Sequence, residues 1–206
     1  MTGFVVTGTD TDVGKTVFSA GLTALLDGWY WKPVQAGLSD GTDAGRVAAL
    51  SGLSQERILP EAYRLTTPCS PHRAAEIDEV EVTREHLALQ PQRPLVVEGA
   101  GGALVPVTPD WLMADLFADW GLPAIVVART ALGTINHSLM TIEVLRARGV
   151  SVHGMAFIGD AVPDSERTIC RIGAVRHLGR LPVLPQLDAK TLRQAFARAF
   201  DKSAFL

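Results

Sequence analysis

A glycine-flanked loop near the start of the chain carries the strongest chemical signal. Five residues separate Gly8 from Gly14, Lys15 and Thr16 follow directly, and an apolar stretch over residues 4–7 comes before. A loop of this kind between a strand and a helix turns its backbone N–H groups inward, and the helix start adds partial positive charge. In nucleotide-binding loops the lysine reaches the terminal phosphates and the hydroxyl ligates Mg²⁺. The segment therefore predicts a nucleotide phosphate site, although the strict motif has only four residues between its glycines.

Two more charged residues end apolar runs. Lys32 ends the run 29–32, and Pro33 keeps it out of the α conformation, so its ammonium should stand at the carboxyl edge of a sheet. Glu98 ends the run 95–98 and precedes Gly-Ala-Gly-Gly, which lets the backbone approach a ligand closely. We expect Lys32 to face the transferred phosphoryl group and Glu98 to ligate a metal or support a ligand. The alternatives are a solvated strand-end cation and a strand-end acid before a flexible turn.

Several other polar residues have open roles. Asp43 precedes a short helical stretch and is either a site residue or an acid at a helix start. Asp10 and Asp12 lie in the phosphate loop, where they cap backbone groups or orient a partner. Thr134 opens a long helical stretch whose free N–H groups would attract a carboxylate or phosphate, unless the threonine only caps that helix. His137 has no partner at metal-ligand spacing, so we expect it to be structural.

The spacing of apolar residues predicts the elements that position these groups. Short, continuous apolar runs are typical of strands buried on both faces of a parallel sheet; they cover residues 4–7, 29–32, 95–98, 124–128, 152–158 and 181–184. Helical periodicity covers residues 16–26, 134–148, 167–178 and 189–200, and the proline-containing segment 59–75 should be mainly loop. The alternation predicts an α/β fold with a doubly wound, mainly parallel sheet flanked by helices, and a site at the carboxyl ends of the strands.

Composition sets the class of protein. A length of 206 residues favours one domain over 1–206. With 47% hydrophobic and 20% charged residues and a net charge of −3, the composition excludes disorder. No excess of positive charge favours a nucleic-acid or membrane surface. Two distant cysteines, Cys69 and Cys170, argue against a disulfide framework or a zinc site. The start lacks the basic and apolar regions of a secretory signal, so we expect a cytoplasmic protein.

Taken together, these motifs resemble the dethiobiotin synthase family, which has a P-loop NTPase fold. The matching stretches follow the family order and thin out in the last third of the chain. They are VTGTDTDVGKT at 6–16, KPVQAG at 32–37, TDA at 42–44, TPCSPHRAA at 67–75, VEGAGGALVP at 97–106 and LGTINH at 132–137. The phosphate loop with its five-residue gap is specific to the family.

The resemblance implies a reaction and its partners. Such enzymes close the ureido ring of dethiobiotin from 7,8-diaminononanoate (7,8-diaminopelargonic acid), CO₂ and MgATP, the penultimate step of biotin synthesis. A substrate amine captures CO₂ as a carbamate, the carbamate attacks the γ-phosphate, and the second amine closes the resulting anhydride with release of phosphate. The family is homodimeric, with the substrate near the subunit interface.

The resemblance also assigns roles residue by residue. Lys15, Lys32 and Thr11 would be catalytic, and Thr16, Asp43 and Glu98 would hold Mg²⁺. Nucleotide contacts would come from Asp12, Val13, Gly14, Lys15, Thr16, Val17, Glu98, Gly159, Leu181 and Pro182. The diamine would contact Thr11, Lys32, Ala36, Gly101, Leu132, Gly133 and Asn136, with the helix start at 133–136 receiving its carboxylate.

Three departures from the family pattern bear on specificity. Ala36 stands where Ser or Thr is common, which removes a hydroxyl contact to the substrate. Gly159 stands where an Asn often reads adenine, so other triphosphates such as CTP are candidates beside ATP. The connection over residues 26–29 is shorter than usual, which predicts a tight turn between helix and strand.

Three other classes of protein share parts of this pattern. A nucleotide-switch ATPase of the chromosome-partitioning type has an extra lysine early in its phosphate loop, and no lysine precedes Lys15 here. An amidating ligase related to cobyrinic acid diamide synthase needs a glutaminase domain, for which 206 residues are too few. A nucleotide-binding module without catalysis would not need Lys32 together with Glu98.

Overall fold

The computed structural model describes residues 3–206. The strands are β1 (Gly3–Gly8), β2 (Trp29–Trp31), β3 (Val34–Ala36), β4 (Ile58–Leu59), β5 (Tyr63–Leu65), β6 (Leu95–Gly102), β7 (Pro106–Thr108), β8 (Trp111–Leu112), β9 (Ala124–Arg129), β10 (Val152–Ile158) and β11 (His177–Leu181). The helices are α1 (Lys15–Leu26), α2 (Asp43–Ser51), α3 (Pro71–Ile77), α4 (Met113–Trp120), α5 (Thr134–Ala147), α6 (Pro163–Ile172) and α7 (Ala189–Ala199). Single 3₁₀ turns cover Gln55–Arg57 and Lys202–Phe205.

Seven strands form the central sheet in the order β11-β10-β9-β1-β6-β2-β4. Each neighbouring pair is parallel, which confirms the predicted α/β fold with a doubly wound parallel sheet. All six residues of β1 are buried, as a strand in the middle of a sheet covered on both faces requires. Two small sheets, β3 with β5 and β7 with β8, lie outside it.

Helices cover the two faces of the sheet and divide the core into two clusters. One face packs against α1, α2 and α7, where Phe18 of α1 contacts Phe196 of α7 at a centroid distance of 5.4 Å. The other face packs against α3 to α6, with Phe117 of α4 and Leu145 of α5 in its core. Because β1 lies between β6 and β9, the loop after β1 emerges at the centre of the carboxyl edge. The fold thus brings the ends of β1, β2 and β6 to one place.

The turn between α1 and β2 is tight, as its length predicts. Asp27 ends the helix in a left-handed conformation, with φ of 49°, and β2 begins at Trp29. Arg57 Nη1 donates a hydrogen bond of 2.8 Å to the Asp27 carbonyl and fixes the turn. Because this connection is short, β2 begins close to the end of α1, and Lys32 follows directly after β2.

The late part of the chain differs from the sequence prediction. The helix predicted over 167–178 and the strand predicted over 181–184 both exist, but their bounds are wrong, since α6 occupies Pro163–Ile172 and β11 occupies His177–Leu181. Pro163 starts the helix at its first position, and Gly173 ends it. The strand was missed because β11 lies at the sheet edge, where the segment His-Leu-Gly-Arg-Leu does not need a continuous apolar run.

The segment 59–75, predicted as mainly loop, also contains β5 and the start of α3. Its short strand β5 pairs with β3, so it forms a small cover beside the site rather than an unstructured loop. Among residues 3–206, no helix combines the length and the apolar character that a membrane crossing requires.

Candidate active site

A cleft of about 670 Å³ opens at the carboxyl edge of β1, β2 and β6. We call it the central cleft. The phosphate loop forms one wall, and residues 68–71, which end at the first residue of α3, form part of another. Its lining includes predicted site residues, namely Thr11, Asp12, Gly14, Lys15, Thr16, Val17, Lys32, Ala36, Asp43, Glu98 and Gly101. Most of the predicted site residues therefore meet in one place.

Four side chains from separate segments converge at the base of the central cleft. Thr16 Oγ1 lies 2.8 Å from Glu98 Oε1 and 3.0 Å from Asp43 Oδ1, within hydrogen-bond distance of both. Lys32 Nζ forms an ion pair of 2.7 Å with Asp43 Oδ2 and a longer one of 3.4 Å with Glu98 Oε1. The Lys32 and Glu98 side chains are 4% and 0% exposed, so solvent hardly screens this cluster.

Opposite charges keep Lys32 protonated inside the protein. Burial works against its charged form, but Glu98 and Asp43 outweigh burial and raise the pKa of Lys32. Burial likewise opposes ionisation of Asp43, whereas Lys32 and the Thr16 hydroxyl lower the pKa of this carboxyl below its ordinary value. The cluster is thus a fixed arrangement of charges and not a neutral hydrogen-bond network.

Lys15 has a different electrostatic environment. Its Nζ donates a hydrogen bond of 2.8 Å to the Asp10 carbonyl within the phosphate loop. Burial, and then the charge of Lys32, lower the pKa of Lys15 to about 8. A buried cation whose charged form is disfavoured in this way is a receptive partner for an anion.

The phosphate loop has the local conformation that the sequence predicts. Gly14 is left-handed, with φ of 95°, and a side chain there would press within 3.1 Å of Ile158 at the end of β10. Lys15 opens α1 directly after it. Asp10 Oδ1 accepts a 2.7 Å hydrogen bond from the Thr11 backbone, so one of the two loop acids caps a backbone group. Val13 is buried in the core and leaves only its backbone for a ligand.

The oxygen atoms of Thr16, Asp43 and Glu98 fit a divalent cation such as Mg²⁺. They are hard ligands, and Mg²⁺ in proteins takes one or two carboxylates and completes its shell with substrate phosphates and water. In the described part of the chain, no three Asp, Glu, His or Cys side chains gather into a metal cluster. With two carboxylates and one hydroxyl, the donor set at Thr16 suits a cation that arrives with a phosphate ligand. The Lys32 ammonium pairs with both carboxylates, which shows that this part of the cleft favours positive charge.

The alternative roles of Asp43 and Thr134 can be compared with their positions. Asp43 is the first residue of α2, but Thr42 caps that helix by accepting a hydrogen bond from the Gly45 backbone. The Asp43 carboxylate turns instead toward Lys32 and Thr16. Thr134 makes no capping hydrogen bond, since Gly133 occupies the cap position of α5.

Two residues that the sequence analysis missed support the cluster from behind. Tyr30 is fully buried and donates a 3.0 Å hydrogen bond to Glu98 Oε2. Burial, and then the charge of Glu98, raise the pKa of Tyr30 well above 10, so the hydroxyl keeps its proton. Gln35 Oε1 accepts a 3.0 Å hydrogen bond from the Asp43 backbone and so ties the start of α2 to the middle of β3. The signal that could have identified Tyr30 is its position inside an apolar run, because a buried tyrosine hydroxyl needs a hydrogen-bond partner.

Some predicted substrate residues lie outside the central cleft. Leu132, Gly133 and Asn136 are exposed at the start of α5, and the Leu132 side chain is fully exposed. Within one chain they do not line the central cleft with Thr11, Ala36 and Gly101.

The predicted base-reading residues form a separate group at the ends of β10 and β11. The Gly159 N–H donates to the Leu181 carbonyl at 3.0 Å, and its carbonyl accepts from Arg180 Nη1 at 2.8 Å. Gly159 is also left-handed, with φ of 126°, and a Cβ there would lie 2.4 Å from Thr130 Oγ1. Pro182 is exposed beside them. A groove of about 760 Å³ between β11 and α7 includes Arg180 in its lining but none of Gly159, Leu181 and Pro182.

Comparison with known proteins adds the family. A family model described as an AAA domain matches residues 2–191. The ATP-dependent dethiobiotin synthetase BioD of Novosphingobium aromaticivorans is 66% identical over the full length of both chains. That of Rhizorhabdus wittichii is 65% identical, covering 98% of this chain and 97% of its own.

Solved structures with the same fold are more distant. The MinD cell division protein of Aquifex aeolicus is 12% identical, with a TM-score of 0.55 and 96% of each chain covered. The cell division ATPase MinD of Pyrococcus furiosus is 13% identical, with a TM-score of 0.54, 96% of this chain and 98% of its own covered. At 12–13% identity the likeness shows only a shared P-loop ATPase fold. Identity of 66% over the full length of a relative shows membership of the same family. The chain belongs to the family of ATP-dependent dethiobiotin synthetases and is a ligase of biotin biosynthesis.

Proposed function

We propose that this chain closes the ureido ring of dethiobiotin from 7,8-diaminononanoate and CO₂, converting ATP to ADP and phosphate. The observation that carries the proposal is the convergence of Lys15, Lys32, Asp43 and Glu98 at the phosphate loop. Two cations and two carboxylates in a shielded cleft suit the transfer of a phosphoryl group to an anionic acceptor. We propose further that a single domain over residues 1–206 carries all these roles.

The proposed reaction has two bond-forming steps. One substrate amine adds to CO₂ and loses a proton, which gives a carbamate, and a carbamate oxygen attacks the γ-phosphorus as the bond to ADP breaks. The second amine then attacks the carbamate carbon and loses a proton, the bond between that carbon and the bridging oxygen breaks, and phosphate leaves with that oxygen as the ring closes. Both steps depend on positioning and on stabilisation of negative charge.

The two lysines would divide the charge of the transfer. Lys15, at the start of α1, would hold the terminal phosphates. Lys32, which pairs with Asp43 and Glu98 in the same cleft, would face the carbamate and the transferred group. Because the Lys32 side chain is only 4% exposed, its charge acts at an effective dielectric well below that of water. Thr11, Ala36 and Gly101 line the same cleft and would contact the diamine.

A Mg²⁺ ion bound with the nucleotide would be held by Thr16, Asp43 and Glu98. When bound, it would neutralise phosphate charge and orient the γ-phosphate. The chain itself supplies the ligands in advance, since Asp43 Oδ1 and Glu98 Oε1 both already lie within hydrogen-bond distance of Thr16 Oγ1. Lys32 must then share the carboxylates with the cation.

We propose that the chain acts as a homodimer and completes its substrate site at the subunit interface. The exposed start of α5 supports this, because Leu132 and Met140 leave apolar surface uncovered and Asn136 lies between them. Free N–H groups at that helix start would receive the substrate carboxylate.

A location in the cytoplasm stays the prediction made from the sequence.

We also propose relaxed selectivity for the nucleotide base. Gly159 has no side chain to read adenine, and both its backbone groups already have partners, Leu181 and Arg180. The protein would thus hold the nucleotide mainly by its phosphates. CTP would then serve as phosphoryl donor as well as ATP.

Product detection tests this function. The protein is mixed with 7,8-diaminononanoate, bicarbonate, Mg²⁺ and either ATP or CTP, and dethiobiotin is measured by mass spectrometry. We expect the ring-closed product with both nucleotides. Product with ATP alone would contradict the relaxed base selectivity. No product with either, from folded protein that binds nucleotide, would favour the switch-ATPase alternative.

Binding of ATP should take up a proton when the pH lies just above 8. Because burial lowers the pKa of Lys15 to about 8, the free chain carries less than a full proton on this side chain there. Negative phosphate charge beside Lys15 raises that pKa again, so a proton enters on binding and the affinity falls as the pH rises. Titration calorimetry in two buffers with different ionisation enthalpies measures the uptake. An equal uptake by Lys15→Met would contradict this assignment.

A further inference from the structure

The two oxygen atoms of Glu98 have different surroundings. Oε1 faces the central cleft, where Thr16 Oγ1 lies at 2.8 Å and Lys32 Nζ at 3.4 Å. Oε2 points the other way and accepts a 3.0 Å hydrogen bond from Tyr30. One oxygen is therefore turned toward the site and the other is anchored in the core.

The anchor is rigid because of where Tyr30 lies. β2 pairs with β6 so that Tyr30 is opposite Val96 and Trp31 is opposite Val97, which brings Glu98 just beyond this pair. Tyr30 is 0% exposed and packs in the core cluster with α1, so a close-packed interior surrounds its ring. The terminal torsion of a glutamate has a broad energy profile and needs an external partner to fix it.

We propose that Tyr30 is a positioning residue, which holds Glu98 Oε2 so that Oε1 stays directed at the divalent cation shared with Thr16 and Asp43. This inference rests on the proposed metal site and assigns a role to a residue that touches neither nucleotide nor diamine. Groups that hydrogen-bond to metal ligands fix their orientation, and losing such a group costs about 10- to 100-fold in metal affinity.

The competing explanation is that Tyr30 is a core aromatic whose hydroxyl merely has a nearby acceptor. Under that explanation, removal of the hydroxyl lowers the free energy of unfolding but leaves the metal affinity of folded protein unchanged. Tyr30→Phe removes the hydroxyl and keeps the ring, so it separates the two explanations.

Mn²⁺ binding to the folded protein with ADP, measured by electron paramagnetic resonance, is the test. For Tyr30→Phe we expect a dissociation constant for Mn²⁺ about tenfold higher than in the wild type, with unchanged affinity for ADP in EDTA. Tyr63→Phe is the matched control, because Tyr63 is also buried and its hydroxyl accepts from the Thr83 backbone, away from the cluster. A Mn²⁺ affinity of Tyr30→Phe within twofold of the wild type would overturn the proposal.

A second pair of variants covers the case in which Tyr30→Phe does not fold. In Tyr30→Phe, the buried Glu98 carboxylate loses the hydrogen bond from Tyr30. Glu98→Gln removes that negative charge, and the double variant Glu98→Gln/Tyr30→Phe is compared with Glu98→Gln alone. Since the proposed role acts only through the carboxylate, both proteins should bind Mn²⁺ equally, and a further loss in the double variant would overturn the proposal. If the wild type with ADP fails to bind Mn²⁺, the metal site itself is refuted, and the role of Tyr30 with it.

Discussion

Replacing Lys15 by alanine should lower kcat about 100- to 1000-fold, because an oriented charge at the transferring group typically contributes several kcal/mol to the transition state. The loss should not come from unfolding. Burial disfavours the charged form of Lys15, as the lowering of its pKa to about 8 indicates, so its removal relieves a cost in the free chain. Steady-state kinetics together with thermal unfolding measure both effects.

Lys190→Ala is the control for this experiment, since Lys190 is an exposed lysine in α7. It should keep wild-type turnover and stability. If Lys15→Ala retained turnover within a few-fold of the wild type, the phosphate loop would not be the site of the transfer.

Replacing Lys32 by methionine should destabilise the free protein by about 3–5 kcal/mol, the usual cost of leaving buried charges without their partner. The Glu98 side chain is 0% exposed, and both Glu98 and Asp43 lose Lys32, the cation that they share. The loss of Lys32 removes the largest of the effects that lower the pKa of Asp43, so burial should push that pKa upward in the variant. Stability is then lost as the pH rises, so the deficit relative to wild type should shrink as the pH is lowered toward 4.

Mg²⁺ should restore part of that stability. If the carboxylates bind a cation together with Thr16, saturating Mg²⁺ and ADP should stabilise Lys32→Met more than they stabilise the wild type, where the ammonium competes for the same oxygens. Denaturant unfolding with and without Mg²⁺ measures the difference, with the surface variant Lys202→Met as control. Equal stabilisation of wild type and Lys32→Met would contradict a shared site for ammonium and metal.

Local sequence signals predicted the phosphate site because each part of it lies within one strand–loop–helix segment. The meeting of Lys32 with Glu98 was predictable as well, since both end strands of one parallel sheet and such ends share an edge. Asp43 stayed ambiguous, because an acid at the first position of a helix serves either the helix or a site. The direction of its side chain decides between these, and that depends on packing.

The parts that the sequence did not predict depend on contacts between distant segments. Tyr30 reaches Glu98 only because of the register between β2 and β6, which no pattern within either strand reveals. Gln35 was overlooked for the same reason, since its partner is the start of α2. The strand β11 was displaced in the prediction because an edge strand tolerates polar residues and has no strong periodicity.

Transfer of labelled oxygen from bicarbonate to phosphate tests the central claim most directly. With oxygen-18 bicarbonate, diamine, Mg²⁺ and ATP, the proposed anhydride passes one bicarbonate-derived oxygen to each phosphate as the ring closes. We predict one labelled oxygen per phosphate and a matching yield of dethiobiotin, with both formed about 100- to 1000-fold more slowly by Lys15→Ala. Phosphate without label, or phosphate released without a ring-closed product, would contradict the account.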